Sequence, residues 1–563
     1  MVPRTDSNAT ARSENPEDDF TRAEDALRLD RELRNSKLRV AAALLDQERI
    51  PAAVQSLKSF LNEQPNEPAA LNLLADAAIR QGRDEQREVL LARSLELEPD
   101  SIAARYHYAC ALFRAGKPLP AKLQLEQLLA AEPRNPLFRR QMAALLETIG
   151  HYAPCAAFFG ELTAEYPNSA QLWLHYGHAL RGLGQSGESI AAYRQAIAAD
   201  PSNGLAWWSL ANLKTYRFSE SDIARIEAGI AKPGVSQENR AALNFALGKA
   251  YADRQQYAKS LETYAKGNAI QRLSLSHNPD VLTSYVARCK TLFTPEFFAA
   301  NLGSGSLRRD PIFLVGMTRS GSTLVEQILA SHSAIEGTRE LTELAGIAKY
   351  IENEIAPRHD SKFPDVLAAL GNGEFQALGD RYLESLRAYR STGQPFFTDK
   401  MASNFVYVGM LQLILPNARI VDVRRHPLAC CWSNFAQLFT SGQEYAYRLT
   451  DLGRLYREYV ELMAHWDRVL PGKVHRVFYE QLVADPEGEI RRLLSHLELP
   501  FEETCLQFHS NARAVSTVSS EQVRTPIYKE GVEQWRNYEP WLGQLKSALG
   551  PVLECYPAVP DFT

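Results

Sequence analysis

Prolines at positions 65, 99, 133, 167 and 201 recur at a step of 34 residues, and glycines at 82, 116, 150 and 184 keep the same step. A chain with that regularity has little choice of architecture. Each unit must be the same small supersecondary element, and each must bury its apolar face against the next. Every one of those prolines is followed by Asn, Asp, Arg or Ser and then by an apolar pattern of helical period. Proline closes the second helix of a unit because it has no backbone N–H to donate. Glycine is expected at the bend between the two helices, where a Cβ would crowd the turn. Ala111 and Ala179 fall where neighbouring helices must cross closely.

A helix–turn–helix unit of this period is the tetratricopeptide signature. Units begin near 36, 68, 102, 136 and 170. Beyond Pro201 the period breaks: residues 204–232 still read as helical but leave the repeat, and a last repeat-like hairpin spans about 238–271, with Gly248, Ala258 and Tyr264 in repeat positions. The expected organisation is a disordered tail over 1–35, a repeat domain over 36–271, a helical linker over 272–308 and a second domain over 309–563. The tail is expected to lack structure because it has too little apolar surface to offset the entropy of ordering. The array supports two readings equally: a scaffold or dimerisation surface, and a concave groove for a peptide or protein acceptor.

Charge and cysteines narrow the classes. A formal net charge of -5 argues against a general nucleic-acid binder. The 7 cysteines are odd in number and form no C-x-x-C pair, so neither a structural zinc site nor a disulfide framework is expected. No apolar run reaches membrane-spanning length and the polar N-terminus has no secretory core, so the expectation is a cytoplasmic protein without a membrane span or a metal. The oligomeric state is not readable.

The chemistry concentrates at PIFLVGMTRSGST, residues 311–323. Ile312 to Val315 reads as a buried parallel strand, Gly316 to Gly321 as a loop, and Ser322 as the start of a helix. Strand, glycine-bounded loop and helix together cradle an anion, because backbone N–H groups and the helix N-terminus point at it. The frame from Gly316 to Gly321 is that of a Walker A loop, but Ser322 and Thr323 stand where Lys-[Ser/Thr] is needed to hold β- and γ-phosphates. A P-loop kinase or ATPase is therefore disfavoured, and a nucleotide without a γ-phosphate is favoured.

TRSGST resembles the 5′-phosphosulfate loop of sulfotransferases, especially the tyrosylprotein sulfotransferase group and its bacterial relatives fused to tetratricopeptide repeats, and the likeness runs from about 36 to 545. It implies an all-α tetratricopeptide solenoid followed by an α/β, P-loop-like, three-layer domain with a parallel sheet. It also implies 3′-phosphoadenosine 5′-phosphosulfate as donor. Arg319, Ser320, Gly321, Ser322 and Thr323 would then hold the 5′ end of the donor. In IEGTRELTEL, Glu340 matches the family's general base. A phenol of pKa about 10 needs a positioned carboxylate to lose its proton at neutral pH. Glu336 and Glu343 are the competing carboxylates and His332 the one nearby histidine, read as a structural residue at a helix end.

Three later blocks extend the match. In FFTDKMASNF, Lys400 matches the catalytic Lys that stabilises charge on the leaving bridging oxygen, a role Arg319 shares. In RIVDVRRHPLACCWSNF, the resemblance assigns Arg425 and Ser433 to the 3′-phosphate, while Cys430 and Cys431 read as buried and inert. Farther on, Tyr479 would lie against adenine or its phosphates, Ser519 matches an active-site Ser, and Lys529 and Trp535 match donor contacts in the closing loop. The acceptor implied is a protein or peptide tyrosine; a carbohydrate, lipid or small-molecule hydroxyl is the alternative, and a non-catalytic repeat adaptor with a decayed domain a further one. Arg448, Arg454 and Arg457 are candidates for gripping an acidic peptide.

Overall fold

The computed structural model describes residues 17–28, 33, 35–213, 215–390, 392–439, 442–511, 513, 521–527, 529 and 531–562. They form two compact units, one ending at Ala199 and one beginning at Asp200.

The first unit is a stack of five antiparallel helix pairs. Its first pair is Ser36–Asp46 with Ile50–Glu63 and its last is Ala170–Gly182 with Ser186–Ala199. Side chains of Asn35, Ser101, Asn135 and Ser169 cap the first helices of their units by accepting from backbone N–H groups. The turn glycines serve a purpose other than relieving crowding. A Cβ on Gly82, Gly116 or Gly150 would meet nothing within 4 Å, whereas all of them hold φ between 69° and 81°. They are there for the left-handed conformation. In the first unit Glu48 takes the same position at φ 57°, an L-residue in the strained region. Close packing is supplied elsewhere: a Cβ on Gly177 would lie 2.4 Å from the Tyr193 ring.

Two expectations about boundaries need correction. Within the tail over 1–35, residues Glu17–Ala26 form a helix. Phe20, Ala23 and Leu27 share one helical face, Phe20 meets the Tyr166 ring at 4.8 Å, and Leu27 is buried in the core of the third and fourth units. An apolar stripe of three residues suffices to dock a short helix on a preformed surface. The hairpin at 238–271 belongs to the second unit, not the array. Its second helix, Tyr257–Leu273, is hydrogen-bonded into the C-terminal domain: Ser260 Oγ lies 3.1 Å from Tyr538 Oη, Asn268 donates to Phe435 O at 3.0 Å, and Arg272 pairs with Asp451 at 2.7 Å.

The second unit is built around a five-stranded, wholly parallel sheet of order β2-β3-β1-β4-β5: β1 (Pro311–Gly316), β2 (Ile335–Glu336), β3 (Phe396–Lys400), β4 (Arg419–Arg424) and β5 (Val474–Phe478). Ile312, Leu314, Val421 and Val423 face a core completed by Val325, Ile328 and Leu329 of the helix Ser322–Leu329 and by Ile490 and Leu493 of the helix Pro486–His496. On the opposite face Phe313 meets Tyr382 of the helix Asn372–Ser385 at 5.7 Å. Also on that face, Asp422 pairs with Arg424 and Arg476 and accepts from Tyr459 of the helix Leu449–Val469. Burial alone would raise the Asp422 carboxyl, but Arg424 and Arg476 hold it below the ordinary range. Helices on both faces make the three layers expected from the sequence. The chain leaves β1 for β2 and β3 on one side and reaches β4 on the other. The loop after β1 therefore opens at the point where strand order reverses, where open α/β sheets place ligands.

Among the described residues, no helix is long and apolar enough to cross a membrane.

Candidate active site

The loop after β1 is held in a shape that only its glycines allow. Gly316 has φ 142° and a Cβ there would lie 2.5 Å from Val423 O on the neighbouring strand. Gly321 has φ 102° and a Cβ there would lie 2.6 Å from the Tyr479 ring. Between them Arg319 holds φ 66°. The helix Ser322–Leu329 begins at Gly321, which has no side chain to cap it, so its N-terminal dipole faces the loop. Ser320 is 1% exposed and its Oγ has no hydrogen-bond partner among the described residues; a buried hydroxyl left over in a glycine cradle suits an anion that completes it. Ser322 and Thr323 are buried beside it.

The loop is pinned from the side of β4. Asn434 on the helix Pro427–Phe435 donates to Thr318 O at 2.8 Å and accepts from Thr318 Oγ1 at 2.5 Å, and Cys430 Sγ donates to the same carbonyl at 3.3 Å. Burial pushes the Cys430 thiol up to about 12, so it stays a neutral donor at neutral pH. Arg319 Nε donates to Ser433 Oγ at 3.0 Å. Arg425, just past β4, donates to Arg319 O at 3.2 Å and to Gly531 O at 2.6 Å, and lies 4.8 Å over the Tyr479 ring. Tyr456 donates to Arg425 O at 2.6 Å. Arg425 Nε is buried without a partner among the described residues. Burial raises the Tyr479 phenol, against the pull of Arg425. Arg319, Ser320, Gly321, Arg425, Ser433 and Tyr479 therefore gather at the C-terminal edge of β1, β4 and β5, a donor-rich, cationic group with two hydrogen-bonding atoms, Ser320 Oγ and Arg425 Nε, unmet among the described residues. Those residues fit phosphate groups.

Lys400 ends β3, its Cα in register with Leu314 two residues before the loop. It is 1% exposed and its Nζ lies 2.5 Å from Glu340 Oε1, whereas the Glu340 side chain is 53% exposed. A buried cation thus faces outward onto an accessible carboxylate. The competing carboxylates are occupied differently. Glu336, buried on β2, pairs with Arg390 at 3.3 Å and accepts from Thr392 N at 2.9 Å, a structural tie. Glu343 opens the helix Glu343–Tyr350, and burial raises its carboxyl although a bond to Tyr389 opposes the shift. His332 accepts from Ala334 N and contacts Pro500 O at 3.0 Å, a helix-end role as expected.

Trp535 is stacked on His426 with ring centroids 4.8 Å apart and planes at 9°, and it is 7% exposed, so its ring is packed at the N-terminus of the helix Pro427–Phe435, one residue from Arg425. Some expected residues are not brought in. Lys529 is exposed and Ser519 lies outside the described residues. Arg454 is spent on Asp280 at 2.7 Å and Glu458 at 3.0 Å, while Arg448 is exposed. Residues that sequence reasoning missed are Thr318, Asn434 and Tyr456, which hold the loop and Arg425, and the buried pair Glu326–Arg513 at 3.1 Å, whose Arg513 also donates to Gly337 O behind Glu340. No motif marks them; only Asn434, one residue after Ser433, could have been suspected.

The profile described as "Sulfotransferase family" matches residues 311–503, which contain the loop, Glu340, Lys400, Arg425, Ser433 and Tyr479. These residues form a sulfotransferase-family domain. Tetratricopeptide-repeat profiles match residues 38–101 and 170–203, so the sulfotransferase domain follows a tetratricopeptide array. An uncharacterized protein of Aquifex aeolicus is 30% identical over 370 residues, 65% of this chain and 48% of that protein. Protein-tyrosine sulfotransferase A of Caenorhabditis elegans is 24% identical over 250 residues, 40% of this chain and 60% of that protein. The chain thus spans about half to three-fifths of the length of these relatives. The sulfotransferase domain of the Synechococcus PCC 7002 olefin synthase is 19% identical, with a TM-score of 0.31, over 41% of this chain and 88% of that one.

Proposed function

We propose that the protein transfers a sulfuryl group from 3′-phosphoadenosine 5′-phosphosulfate to a hydroxyl, with a tyrosine of a peptide or protein as acceptor. The observation that carries the reading is the buried Lys400 paired at 2.5 Å with the accessible Glu340, on the strand next to the Gly316–Gly321 loop. The loop and Arg319 take the 5′-phosphosulfate, and Arg425 with Ser433 takes the 3′-phosphate. Lys400 then turns to the bridging oxygen between phosphorus and sulfur, which frees Glu340. The acceptor oxygen attacks sulfur, its proton passes to Glu340, and the sulfur–oxygen bond to the nucleotide breaks with its electron pair left on adenosine 3′,5′-bisphosphate. The transition state is loose, so charge builds on that leaving oxygen, beside Lys400 and Arg319.

Support for the tyrosine acceptor comes from the Glu base and the similarity to Protein-tyrosine sulfotransferase A, with the repeats as a binding surface for the acceptor chain. One observation favours a second acceptor class. Arg454, one of the three cations expected to grip an acidic peptide, is already neutralised by Asp280 and Glu458, so a carbohydrate or small phenolic hydroxyl fits as well on charge. Purified protein with radiolabelled donor and a panel of tyrosine peptides, sugars and phenols separates them. Label in tyrosine peptides alone supports the first reading; label in sugars or free phenols alone replaces it with the second; none in any acceptor, with donor present and the protein folded, removes both.

A further inference from the structure

The repeat unit carries a polar cluster that the sulfotransferase chemistry does not use. His175 and His178 lie three residues apart on the helix Ala170–Gly182, so both rings leave the same face. Glu147, near the end of the helix Pro136–Thr148 in the preceding unit, reaches that face. Its Oε2 is 3.3 Å from His175 Nδ1 and its Oε1 is 3.7 Å from His178 Nδ1. The three ligating atoms all lie within 4.8 Å of one another. From these residues we infer a site for a first-row divalent transition metal, Zn²⁺ foremost, that ties the fourth and fifth repeat units together.

Four observations carry it. The donor set is two imidazoles and a carboxylate, which suits Zn²⁺ with a fourth position left to water. With metal–ligand bonds of about 2.0–2.1 Å, two ligands on a tetrahedral ion are about 3.4 Å apart; His175 Nδ1 already lies 3.3 Å from one Glu147 oxygen, and the ligand set, spread over no more than 4.8 Å, closes on an ion by small side-chain rotations. The rings are also held from outside. Gln171, one turn before His175, has its amide nitrogen 3.1 Å from the other ring nitrogen; with a metal on Nδ1 that nitrogen carries a proton, and a turn of the Gln171 amide that presents its oxygen would accept it and orient the ring. Phe159 stacks on His175 at 5.5 Å and 11°, and Tyr193 meets His178 edge-on at 5.6 Å. Finally, the repeat does not call for these residues: the equivalent positions one unit earlier are Gln141 and Ala144, with Phe113 in the place of Glu147. Side-chain exposures of 26–31% leave the cluster open enough for an ion to enter and packed enough to hold it.

The test is titration of the metal-free full chain with Co²⁺, read by visible absorption, and with Zn²⁺, read by calorimetry. One equivalent should bind with the d–d bands of a four-coordinate nitrogen and oxygen site and no thiolate charge-transfer band. His175→Ala/His178→Ala should abolish that equivalent. Gln171→Ala, which removes no ligand, should weaken it by about 10–100-fold. Glu147→Gln keeps the shape of the side chain and an acceptor oxygen for His175, so it serves as the variant least prone to misfolding, and it too should lose the ion while its thermal midpoint in chelator stays that of the parent. Zn²⁺ should raise the midpoint of the parent and of none of the ligand variants. Equal affinity in parent and variants, thiolate bands, or no binding at all would each overturn the site and leave the cluster as one imidazole hydrogen-bonded to a carboxylate with a second imidazole beside it.

Discussion

Glu340→Gln separates base catalysis from donor binding. The substitution keeps the shape of the side chain and removes both its charge and its ability to take a proton. Loss of a positioned general base costs about 10²–10⁴ in rate, which is roughly 3–5 kcal/mol of barrier. The effect on the donor runs the other way. Lys400 is 1% exposed and now meets a neutral amide where a carboxylate stood at 2.5 Å. Because the Glu340 side chain is 53% exposed, the pair is screened by water and contributes at most about 1 kcal/mol. Releasing Lys400 for an incoming sulfonate can therefore tighten donor binding by up to about fivefold and should not weaken it. The assay is single-turnover sulfation at saturating acceptor, with the donor dissociation constant measured in parallel. Turnover at the parent's rate would refute the base; donor affinity falling in step with turnover would refute the separation of roles.

The remaining predictions concern the loop, a buried acid and the array. Gly321→Ala places a Cβ at 2.6 Å from the Tyr479 ring at φ 102°, a strain of about 1–3 kcal/mol, so adenosine 3′,5′-bisphosphate should bind about tenfold more weakly or worse by calorimetry while circular dichroism is unchanged. Asp399, fully buried on β3, accepts from Tyr382 at 2.6 Å, and burial raises its carboxyl from 3.8 to about 8. A raised folded-state carboxyl pKa means the native form holds a proton that the unfolded form has lost, so stability falls as pH rises from about 4 to about 8. Asp399→Asn should flatten that slope in denaturant titrations at several pH values, and should leave the protein at least as stable as the parent above pH 8. Glu48→Gly relieves an L-residue at φ 57° and should stabilise the first repeat by about 1 kcal/mol, read as slower amide exchange in Ser36–Glu63.

Much of the fold was legible because it is periodic or local. The 34-residue step places all five helix pairs, and strand, glycine loop and helix over 311–329 follow from a short apolar run and two glycines. What was not legible depends on distant partners. Nothing near Lys400 announces that its ammonium is buried against a carboxylate sixty positions upstream. Nothing near Trp535 announces that its ring stacks on His426, more than a hundred residues earlier in the chain. The hairpin at 238–271 keeps repeat residues such as Gly248, which packs on Tyr264 as Gly177 packs on Tyr193, yet its outer face is bonded to the C-terminal domain. Local pattern reports how a hairpin closes, not which core it joins. The helix Glu17–Ala26 was missed for the complementary reason: its apolar stripe is too short to signal a core of its own and is sufficient only against a surface already built.

The proposed activity requires a pocket that holds one nucleotide by phosphates at both ends of its ribose. Isothermal titration of the folded protein with adenosine 3′,5′-bisphosphate tests this most directly, with Arg425→Met as the paired variant. One equivalent bound by the parent, markedly weaker binding by the variant, and no competition from ATP with Mg²⁺ are the expected results. No binding by the parent, or affinity that ignores both the 3′-phosphate and Arg425, would contradict it.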